Sequence, residues 1–210
     1  MSARLLYVMD PMCSWCWGFA PVIEALAERA ARAGVAAVPV VGGLRSEHQP
    51  LDPAGRVRIL GHWQAVNAAT GQLFDFNAAM PEGFVYDTEP ACRAIVAARD
   101  LDASPVWRFM GLVQRAFYLE GAETTRASVL VGLAEEAGYS REAFAQRFDS
   151  PEAHRDTAAD FDWVRNLGIS GFPTVLAERD GRLALLTNGY QPLETLLPLL
   201  DRWLDQGAHA

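Results

Sequence analysis

The chain has 210 residues, of which 50% are hydrophobic and 21% charged, a composition that suits one globular domain with a sizeable core. Eighteen basic residues, all of them arginine, stand against 26 acidic ones, and the resulting net charge of −8 argues against binding to nucleic-acid phosphates. The lack of lysine excludes mechanisms that need a Schiff-base or P-loop lysine. Three cysteines are too few, and odd in number, for a disulfide-stapled secreted scaffold.

The start of the sequence predicts neither export nor a membrane anchor. The apolar run at residues 5–9 is closed by Asp10 and is too short for the core of a signal peptide. No apolar stretch approaches the ~20 residues that span a bilayer. We therefore expect a cytoplasmic protein without a membrane partner, in a compartment that keeps most thiols reduced.

The first forty or so residues predict a strand, a helix and a second strand. Residues 5–9 form a short apolar run of the kind found in buried strands, and Pro11 ends it. An apolar stripe at helical spacing runs from Phe19 to Ala30, and Gly34 follows it as a good C-terminal residue. Residues 35–41 are again apolar. This order favours a parallel strand pair with a right-handed crossover.

Between residues 44 and 167 the pattern changes to helical stripes separated by proline and glycine loops. Ile59, Trp63 and Val66 lie on one stripe, and Phe109, Val113 and Phe117 on another. No strand-like alternation is visible, so we predict a large all-helical insertion. The remainder, residues 1–43 and 168–210, is predicted to form one discontinuous domain.

The last forty residues predict a hairpin and a C-terminal helix. Two apolar runs, at residues 174–177 and 183–187, flank Asp180-Gly181, which is a strong hairpin signal. An amphipathic pattern extends from Leu193 to Leu204, and Pro198 within it should bend the helix or delay its start. The predicted fold class is therefore α/β.

The pair Cys13 and Cys16 lies where the first strand ends and the first helix begins. Unpaired backbone N–H groups and the helix dipole place positive charge there, which stabilises a thiolate on Cys13. Such a thiolate attacks disulfide sulfur, and Cys16, one helical turn on, is close enough to resolve the mixed disulfide. We predict that Cys13 is the nucleophile and Cys16 the resolving thiol, with Ser14 and Trp15 between them tuning the reduction potential.

A zinc site is the alternative for this pair. Tetrahedral zinc needs four ligands, whereas a second cysteine pair is missing and the histidines His48, His62, His154 and His209 are scattered. The pattern favours redox chemistry, and we predict no metal.

A second motif, Gly-Ile-Ser-Gly-Phe-Pro-Thr at residues 168–174, stands immediately before the predicted hairpin. A proline that opens a strand is permitted, because its missing N–H falls at the first position. Taken alone, Pro173 is an ordinary loop proline.

Together the two motifs resemble the thioredoxin fold. The helical insertion and the flanking Asp-Pro-Met-Cys-Ser-Trp-Cys-Trp-Gly at residues 10–18 are similar to the DsbA-like oxidoreductases, most of all to their cytosolic FrnE-type branch. The resemblance covers essentially the whole chain.

The resemblance implies that Pro173 is cis and that its loop faces the cysteines, so we count Pro173 with the catalytic residues. It implies that the backbone of Phe172 pairs with substrate and that Trp15 lies at an exposed tip between the two sulfurs. We predict Ser14, Trp15 and Phe172 as the substrate-binding residues. The resemblance implies no resident cofactor. The expected partners are cysteine-containing polypeptides or glutathione, the latter as a co-substrate, and a recycling partner that the sequence does not identify.

Three further residues have structural interpretations. Cys92 packs as a small hydrophobe in a helix that Thr88 is suited to cap, although a third redox thiol is the alternative. Asp10 is expected as a strand-end or turn residue rather than as a proton relay. Trp17 and Phe19 follow the cysteines, and Phe19 lies on the apolar stripe and is expected in the core.

Three functions remain open from the sequence. The first is a thiol–disulfide oxidoreductase of undetermined direction. The second is a glutathione-dependent transferase or isomerase of the kappa or 2-hydroxychromene-2-carboxylate type, in which a serine replaces the first cysteine. The third is a holdase-like module that binds unfolded chains through an apolar rim around Trp15. Retention of both cysteines favours disulfide exchange.

Overall fold

The computed structural model describes residues 3–208, with side chains described up to residue 206. In chain order the described elements are β1 (Ala3–Met9), α1 (Ser14–Arg32), β2 (Ala36–Val41), β3 (Ser46–Pro50), α2 (Pro53–Thr70), β4 (Val85–Asp87), α3 (Glu89–Leu101), α4 (Val106–Leu119), α5 (Ala127–Ala137), α6 (Arg141–Phe148), α7 (Pro151–Asn166), β5 (Thr174–Arg179), β6 (Arg182–Asn188) and α8 (Leu193–Ala208). Among these helices none is both long and apolar enough to cross a membrane.

The main sheet has the strand order β2-β1-β5-β6. Strands β1 and β2 are parallel, as predicted, and β5 pairs antiparallel with both β1 and β6. The predicted hairpin turn is confirmed, because Asp180 and Gly181 have φ of 48° and 78°, the left-handed geometry of a type I′ turn. Residues 5–9 of β1 are all buried, since the strand is central and covered on both faces.

Helix α1 packs its apolar stripe on one face of this sheet. Phe19, Ile23, Leu26 and Ala30 are fully buried there, which confirms the predicted core position of Phe19. Burial of a large apolar side chain stabilises the fold by about 1.5–3 kcal/mol, so the stripe fixes the rotation of α1 on the sheet. That rotation determines where the first turn of the helix, with the cysteines, lies.

The prediction of an all-helical insertion is wrong in one detail. Strands β3 and β4, which precede and follow α2 in the sequence, pair antiparallel in a small two-stranded sheet. All five residues of β3 are exposed and β4 has only three, so neither strand carries the alternation of buried and exposed residues that reveals a strand in a sequence. The fold is otherwise the predicted α/β fold with a helical insertion.

The C-terminal helix α8 begins at Leu193 and continues through Pro198, so the predicted delay of its start is wrong. Pro198 lies in the second turn, where the missing N–H removes one hydrogen bond of the helix without ending it. The division into residues 1–43, 44–167 and 168–210 stays a prediction.

The insertion docks on the free edge of the main sheet. On edge strand β2, the carbonyl of Pro39 accepts a hydrogen bond from Arg99 Nη1 at 2.9 Å, and the N–H of Val41 donates to Asp160 Oδ2 at 3.1 Å. Arg99 and Asp160 are themselves paired at 2.9 Å. Side chains of α3 and α7 thus satisfy backbone groups that an edge strand leaves open.

Candidate active site

The two cysteines occupy the start of α1, as predicted. Cys13 is the N-cap residue, and its backbone N–H donates to the carbonyl of Asp10 at 3.0 Å. Cys16 follows in the first turn. Both thiols are free and buried, but Cys13 keeps 6% of its surface exposed and Cys16 none. The two sulfurs therefore differ in access to a substrate.

The loop before β5 lies against Cys13. The Phe172–Pro173 peptide bond is cis, and the carbonyl of Pro173 accepts a hydrogen bond from Gly189 N at 2.7 Å. The Sγ of Cys13 donates to the carbonyl oxygen of Phe172 at 3.7 Å. Although 159 residues separate them, the two motifs meet at this contact.

The position of Trp15 differs from the expectation. Its side chain is half-buried rather than at an exposed tip, because the indole lies 6.0 Å from the ring of Tyr190. Tyr190 follows β6, so the hairpin covers one side of the indole. Ser14 is also half-buried, and both residues line a cavity beside Cys13.

Gly42 leaves room for the ring of Phe172. A Cβ at position 42 would lie 2.0 Å from Phe172 Cζ, far closer than two non-bonded carbon atoms can approach. The ring also packs with Leu6, Val8 and Leu176 on the second face of the sheet. The loop that carries Pro173 is thus held by a side chain wedged against the end of β2.

Burial controls the chemistry of Cys16. Desolvation raises the pKa of the Cys16 thiol well above its usual range, and the neighbouring Cys13 raises it further. The hydroxyl of Tyr7 lies 3.5 Å from the carbonyl oxygen of Cys16, and burial likewise raises the pKa of that phenol. Cys16 is therefore a protonated thiol in a closed, mainly apolar environment.

A buried carboxylate, Asp10, braces the turn that carries Cys13. Oδ1 accepts from Met12 N at 2.8 Å, and Oδ2 accepts from Leu44 N at 2.7 Å and from the Thr88 hydroxyl at 2.6 Å. The Cys92 thiol also donates to Oδ2, at 3.3 Å. Burial raises the pKa of Asp10, and these hydrogen bonds partly offset the rise. The turn position was predicted, whereas the network was not.

Two expectations about α3 have different outcomes. The predicted burial of Cys92 is confirmed, since its exposure is 0%. Thr88 is the N-cap residue of α3, as expected, but its side chain makes no cap hydrogen bond and binds Asp10 instead. Trp17, which is half-buried, stacks on Tyr118 and donates from Nε1 to the carbonyl of Leu73 at 2.8 Å.

Two cavities open beside the contact between Cys13 and Phe172. The smaller one, about 210 Å³, is bordered by Cys13, and the larger one, about 570 Å³, by Phe172. Leu44 and Arg45 line both. Sequence reasoning missed Arg45, His62 and Tyr86 of the smaller cavity, because they belong to the insertion and no motif surrounds them.

The chemistry that this arrangement permits is nucleophilic attack by one accessible sulfur with a second thiol behind it. Within residues 3–208 no group of three or more His, Cys, Asp or Glu side chains is placed to hold a metal ion. The residues around the cysteines supply hydrogen bonds and apolar packing, which orient the sulfurs and exclude water.

Comparison with known proteins agrees with this geometry. The family model of the DsbA-like thioredoxin domain matches residues 4–201. The chain is similar to a candidate protein disulfide isomerase from Nitrosomonas europaea, with 43% identity, a TM-score of 0.91 and coverage of 98% of this chain and 99% of that one. It is also similar to the cytosolic disulfide reductase DsbM from Pseudomonas aeruginosa, with 29% identity, a TM-score of 0.74 and coverage of 98% and 97%.

A second structure of DsbM, determined with glutathione, matches with 27% identity, a TM-score of 0.73 and 98% coverage of both chains. No curated protein sequence matches the chain. Because the family model extends over nearly the whole sequence, the chain belongs to the DsbA-like thioredoxin-domain family.

Proposed function

We propose that this protein is a cytoplasmic thiol–disulfide oxidoreductase in which Cys13 attacks the substrate disulfide and Cys16 resolves the mixed disulfide. The observation that carries the proposal is the position of Cys13, which caps α1, borders a cavity and contacts the Phe172 carbonyl, while Cys16 is sealed one turn behind it.

The proposed reaction has two exchanges. The Cys13 thiolate attacks one sulfur of the substrate disulfide, forming an S–S bond to that sulfur and releasing the other as a thiolate. Cys16 then gives its proton to the thiolate released in the first exchange and attacks Cys13 Sγ, which forms the Cys13–Cys16 disulfide and releases the second substrate sulfur as a thiolate. The substrate gains two electrons and the cysteine pair loses two. The reverse sequence oxidises a dithiol.

The asymmetry between the two thiols supports this assignment of roles. Cys13 is the N-cap residue of α1 and borders a cavity, so its sulfur is the one that a substrate disulfide can reach. Desolvation, by contrast, raises the pKa of Cys16, so this thiol is a poor first nucleophile. In the mixed disulfide it is already placed for an intramolecular attack, which compensates for its weak acidity.

Similarity supports the direction and the partner. The 29% identical DsbM is described as a cytosolic disulfide reductase, and a second structure of it contains glutathione. We therefore propose reduction in the cytoplasm as the physiological direction, glutathione as a co-substrate and membership of the FrnE-type branch. The corresponding expectation is a reduction potential for Cys13–Cys16 below the cytosolic glutathione poise, measured by equilibration in glutathione buffers.

Cysteine replacement tests the mechanism. Cys13→Ser should abolish reduction of a protein disulfide, and Cys16→Ser should accumulate a mixed disulfide with substrate through Cys13, detected by mass spectrometry. Cys92→Ser removes the remaining thiol but keeps a hydroxyl donor for Asp10, and as the matched control it should retain exchange. Exchange that survives loss of Cys13 would show the mechanism to be wrong.

A glutathione-dependent transferase or isomerase is the second candidate, and the glutathione-bound neighbour is the observation that favours it. Such an enzyme would bind glutathione and retain catalysis in Cys16→Ser, because it needs no resolving thiol. Calorimetry of glutathione binding, combined with turnover by Cys16→Ser, separates the two functions.

A further inference from the structure

The cavity beside Cys13 differs in charge from the rest of the molecule. Its ionisable lining groups other than Cys13 are Arg45, His62 and Tyr86, and no carboxylate lines it. The chain as a whole has a net charge of −8. The Arg45 guanidinium therefore makes this pocket a local positive site in an acidic protein.

Arg45 is held in place at this cavity from both its backbone and its side chain. Its N–H donates to the Thr88 hydroxyl at 3.2 Å, and its carbonyl accepts from Thr88 N at 3.0 Å. Its guanidinium carbon lies 4.9 Å from the centre of the Tyr86 ring. The Tyr86 hydroxyl in turn donates to the carbonyl of Met12 at 2.6 Å, next to Cys13. The cation is thus preorganised beside the nucleophile.

The charge of Arg45 is only weakly compensated. Its ion-pair partner Glu47 lies 3.6 Å away. The Glu47 side chain is 54% exposed and the Arg45 side chain 35% exposed, so the carboxylate is the more solvated of the two. Glu47 lies outside the lining of the cavity. The buried Asp10 also lies outside it, and its oxygens already accept four protein donors. Asp87 and Glu89 line the larger cavity, so it is in the smaller cavity that a substrate carboxylate would meet the guanidinium without a competing carboxylate in the lining.

The position of Arg45 also places it along the path of a substrate. It lines the smaller cavity at Cys13 and the larger one at Phe172, so it adjoins both sides of the contact where a disulfide must enter. Guanidinium groups bind carboxylates through two parallel N–H donors, which gives orientation as well as attraction.

We propose that Arg45 is a specificity-determining residue that selects disulfides carrying a carboxylate close to the reacting sulfurs. This inference rests on the proposed function and assigns its substrate class: small disulfides or peptides in which an acidic group lies within a few bonds of the cystine. The carboxylate binds the guanidinium and so positions the adjacent S–S bond at Cys13 Sγ.

The test compares three symmetrical disulfides of similar size and different charge. These are 3,3′-dithiodipropionate, which is a dianion, bis(2-hydroxyethyl) disulfide, which is neutral, and cystamine, which is a dication. Second-order rate constants for oxidation of the reduced protein are measured by stopped-flow tryptophan fluorescence. Each is divided by the rate constant of the same disulfide with 2-mercaptoethanol, which removes differences in intrinsic reactivity.

For the wild type we expect a preference of about tenfold for the dianion over the neutral disulfide, the ratio that about 1.4 kcal/mol produces, and a lower rate for the dication. Arg45→Gln should reduce the preference to within about twofold, and Arg45→Lys should keep part of it because the charge remains. Arg58→Gln is the matched control, since Arg58 is an exposed arginine one turn before His62 in α2 that does not line the cavity.

Ionic strength provides a test that needs no variant. The preference of the wild type for the dianion should decrease as salt is added, because a half-buried cation is partly screened. Equal normalised rates for the three disulfides, or a preference unchanged in Arg45→Gln, would overturn the proposed specificity while leaving disulfide exchange intact. Failure of all three disulfides to oxidise the protein would overturn the proposed function itself, and this inference with it.

Discussion

At the scale of single residues, Asp10 connects three segments at the nucleophile. Its carboxylate binds the turn at Met12, the connection at Leu44, and Thr88 and Cys92 of α3, while its own carbonyl accepts from Cys13 N. A side chain with 0% exposure and four donors is a structural centre. The position of Cys13 therefore depends on contacts made by the insertion.

Replacement of Asp10 by asparagine should destabilise the protein. An amide keeps the shape but offers one oxygen, whereas three donors converge on Oδ2 and one on Oδ1. Leaving a buried donor without a partner costs roughly 1–3 kcal/mol, so we expect Asp10→Asn to lower the free energy of unfolding by that amount at neutral pH. Urea unfolding of the wild type and the variant measures the difference; no loss would show that the network contributes nothing net.

The same pair of proteins should show a pH dependence of known sign. Burial raises the pKa of Asp10, whereas an aspartate of an unfolded chain titrates near about 3.9. The folded protein thus binds the Asp10 proton more tightly than the unfolded chain does. The stability that this proton contributes is fully present below pH ~3.9. It is lost as the pH rises through the pKa of Asp10 in the folded protein. Because asparagine does not titrate, the gap in unfolding free energy between wild type and Asp10→Asn should narrow as the pH rises. A widening gap would indicate a lowered pKa.

At the residue scale, the sequence indicated the residues that stand in a local motif, whereas their chemical roles stay predictions. Cys13, Cys16, Phe172 and Pro173 are recognisable from spacing and resemblance, and the structure places Cys13 3.7 Å from the Phe172 carbonyl. Arg45 had no such signal. Arg45 lies near Cys13 only because the fold brings together segments that are far apart in the sequence. The hydrogen bond from Thr88 to Asp10, across 78 residues, arises in the same way.

At the scale of elements, the end of β2 positions the loop that faces the cysteines. Gly42 follows Val41, its N–H donates to the carbonyl of Met9 at 2.8 Å, and the ring of Phe172 fills the space where a side chain would be. The N-terminal turn of α1 and the loop before β5 thus both lie at the same end of the parallel pair β1–β2.

Gly42→Ala should displace Phe172. The new Cβ would lie 2.0 Å from Cζ and 2.2 Å from Cε1 of the ring, so the ring must move. Overpacking of this kind costs typically 1–3 kcal/mol, and movement of Phe172 should slow disulfide exchange by disturbing its carbonyl beside Cys13. Urea unfolding and the rate of reduction of a protein disulfide check the two effects.

The matched control is Gly61→Ala in α2, where a Cβ meets nothing within 4 Å. There alanine should stabilise the helix by roughly 0.5–1 kcal/mol and leave exchange unchanged. Adding Phe172→Leu to Gly42→Ala should recover part of the lost stability, since the smaller side chain makes room. Additive losses in this double variant would mean that the two positions do not interact.

Elements with a strong period were predictable, and those without one were not. The apolar stripe predicts α1, because a helix that buries one face needs apolar residues at helical spacing. Asp180-Gly181 predicts the hairpin, because few residue types adopt its left-handed turn. Strand β3, Ser46–Pro50, is exposed along its whole length and buries no face. Its pairing with β4 comes from tertiary placement, which a local pattern does not encode.

At the scale of the whole molecule, the insertion completes both the sheet and the site. Besides the contacts on β2, Trp17 Nε1 donates to the carbonyl of Leu73 at 2.8 Å, and the carbonyl of Trp17 accepts from Gln72 Nε2 at 3.0 Å. Together with the hydrogen bond from Tyr86 to Met12, these contacts surround the cysteine-bearing end of α1. The two predicted domains therefore share a contact surface that includes the cysteine-bearing end of α1.

We expect the intact reduced chain to unfold in a single cooperative step. If insertion and sheet depend on each other, urea transitions followed by far-UV circular dichroism and by tryptophan fluorescence should coincide. Arg99→Gln removes the group that binds the Pro39 carbonyl and pairs with Asp160, and it should lower the common midpoint without separating the two transitions.

The control for Arg99→Gln is Arg141→Gln, whose exposed ion pair with Glu135 lies within the insertion and should contribute at most about 1 kcal/mol. Transitions that separate in the wild type would mean that the insertion melts independently. In that case the edge of β2 and the turn at Cys13 would be open in an intermediate that retains the sheet. Disulfide exchange would then decline at the lower midpoint, whereas the cooperative structure requires activity and both spectroscopic signals to be lost together.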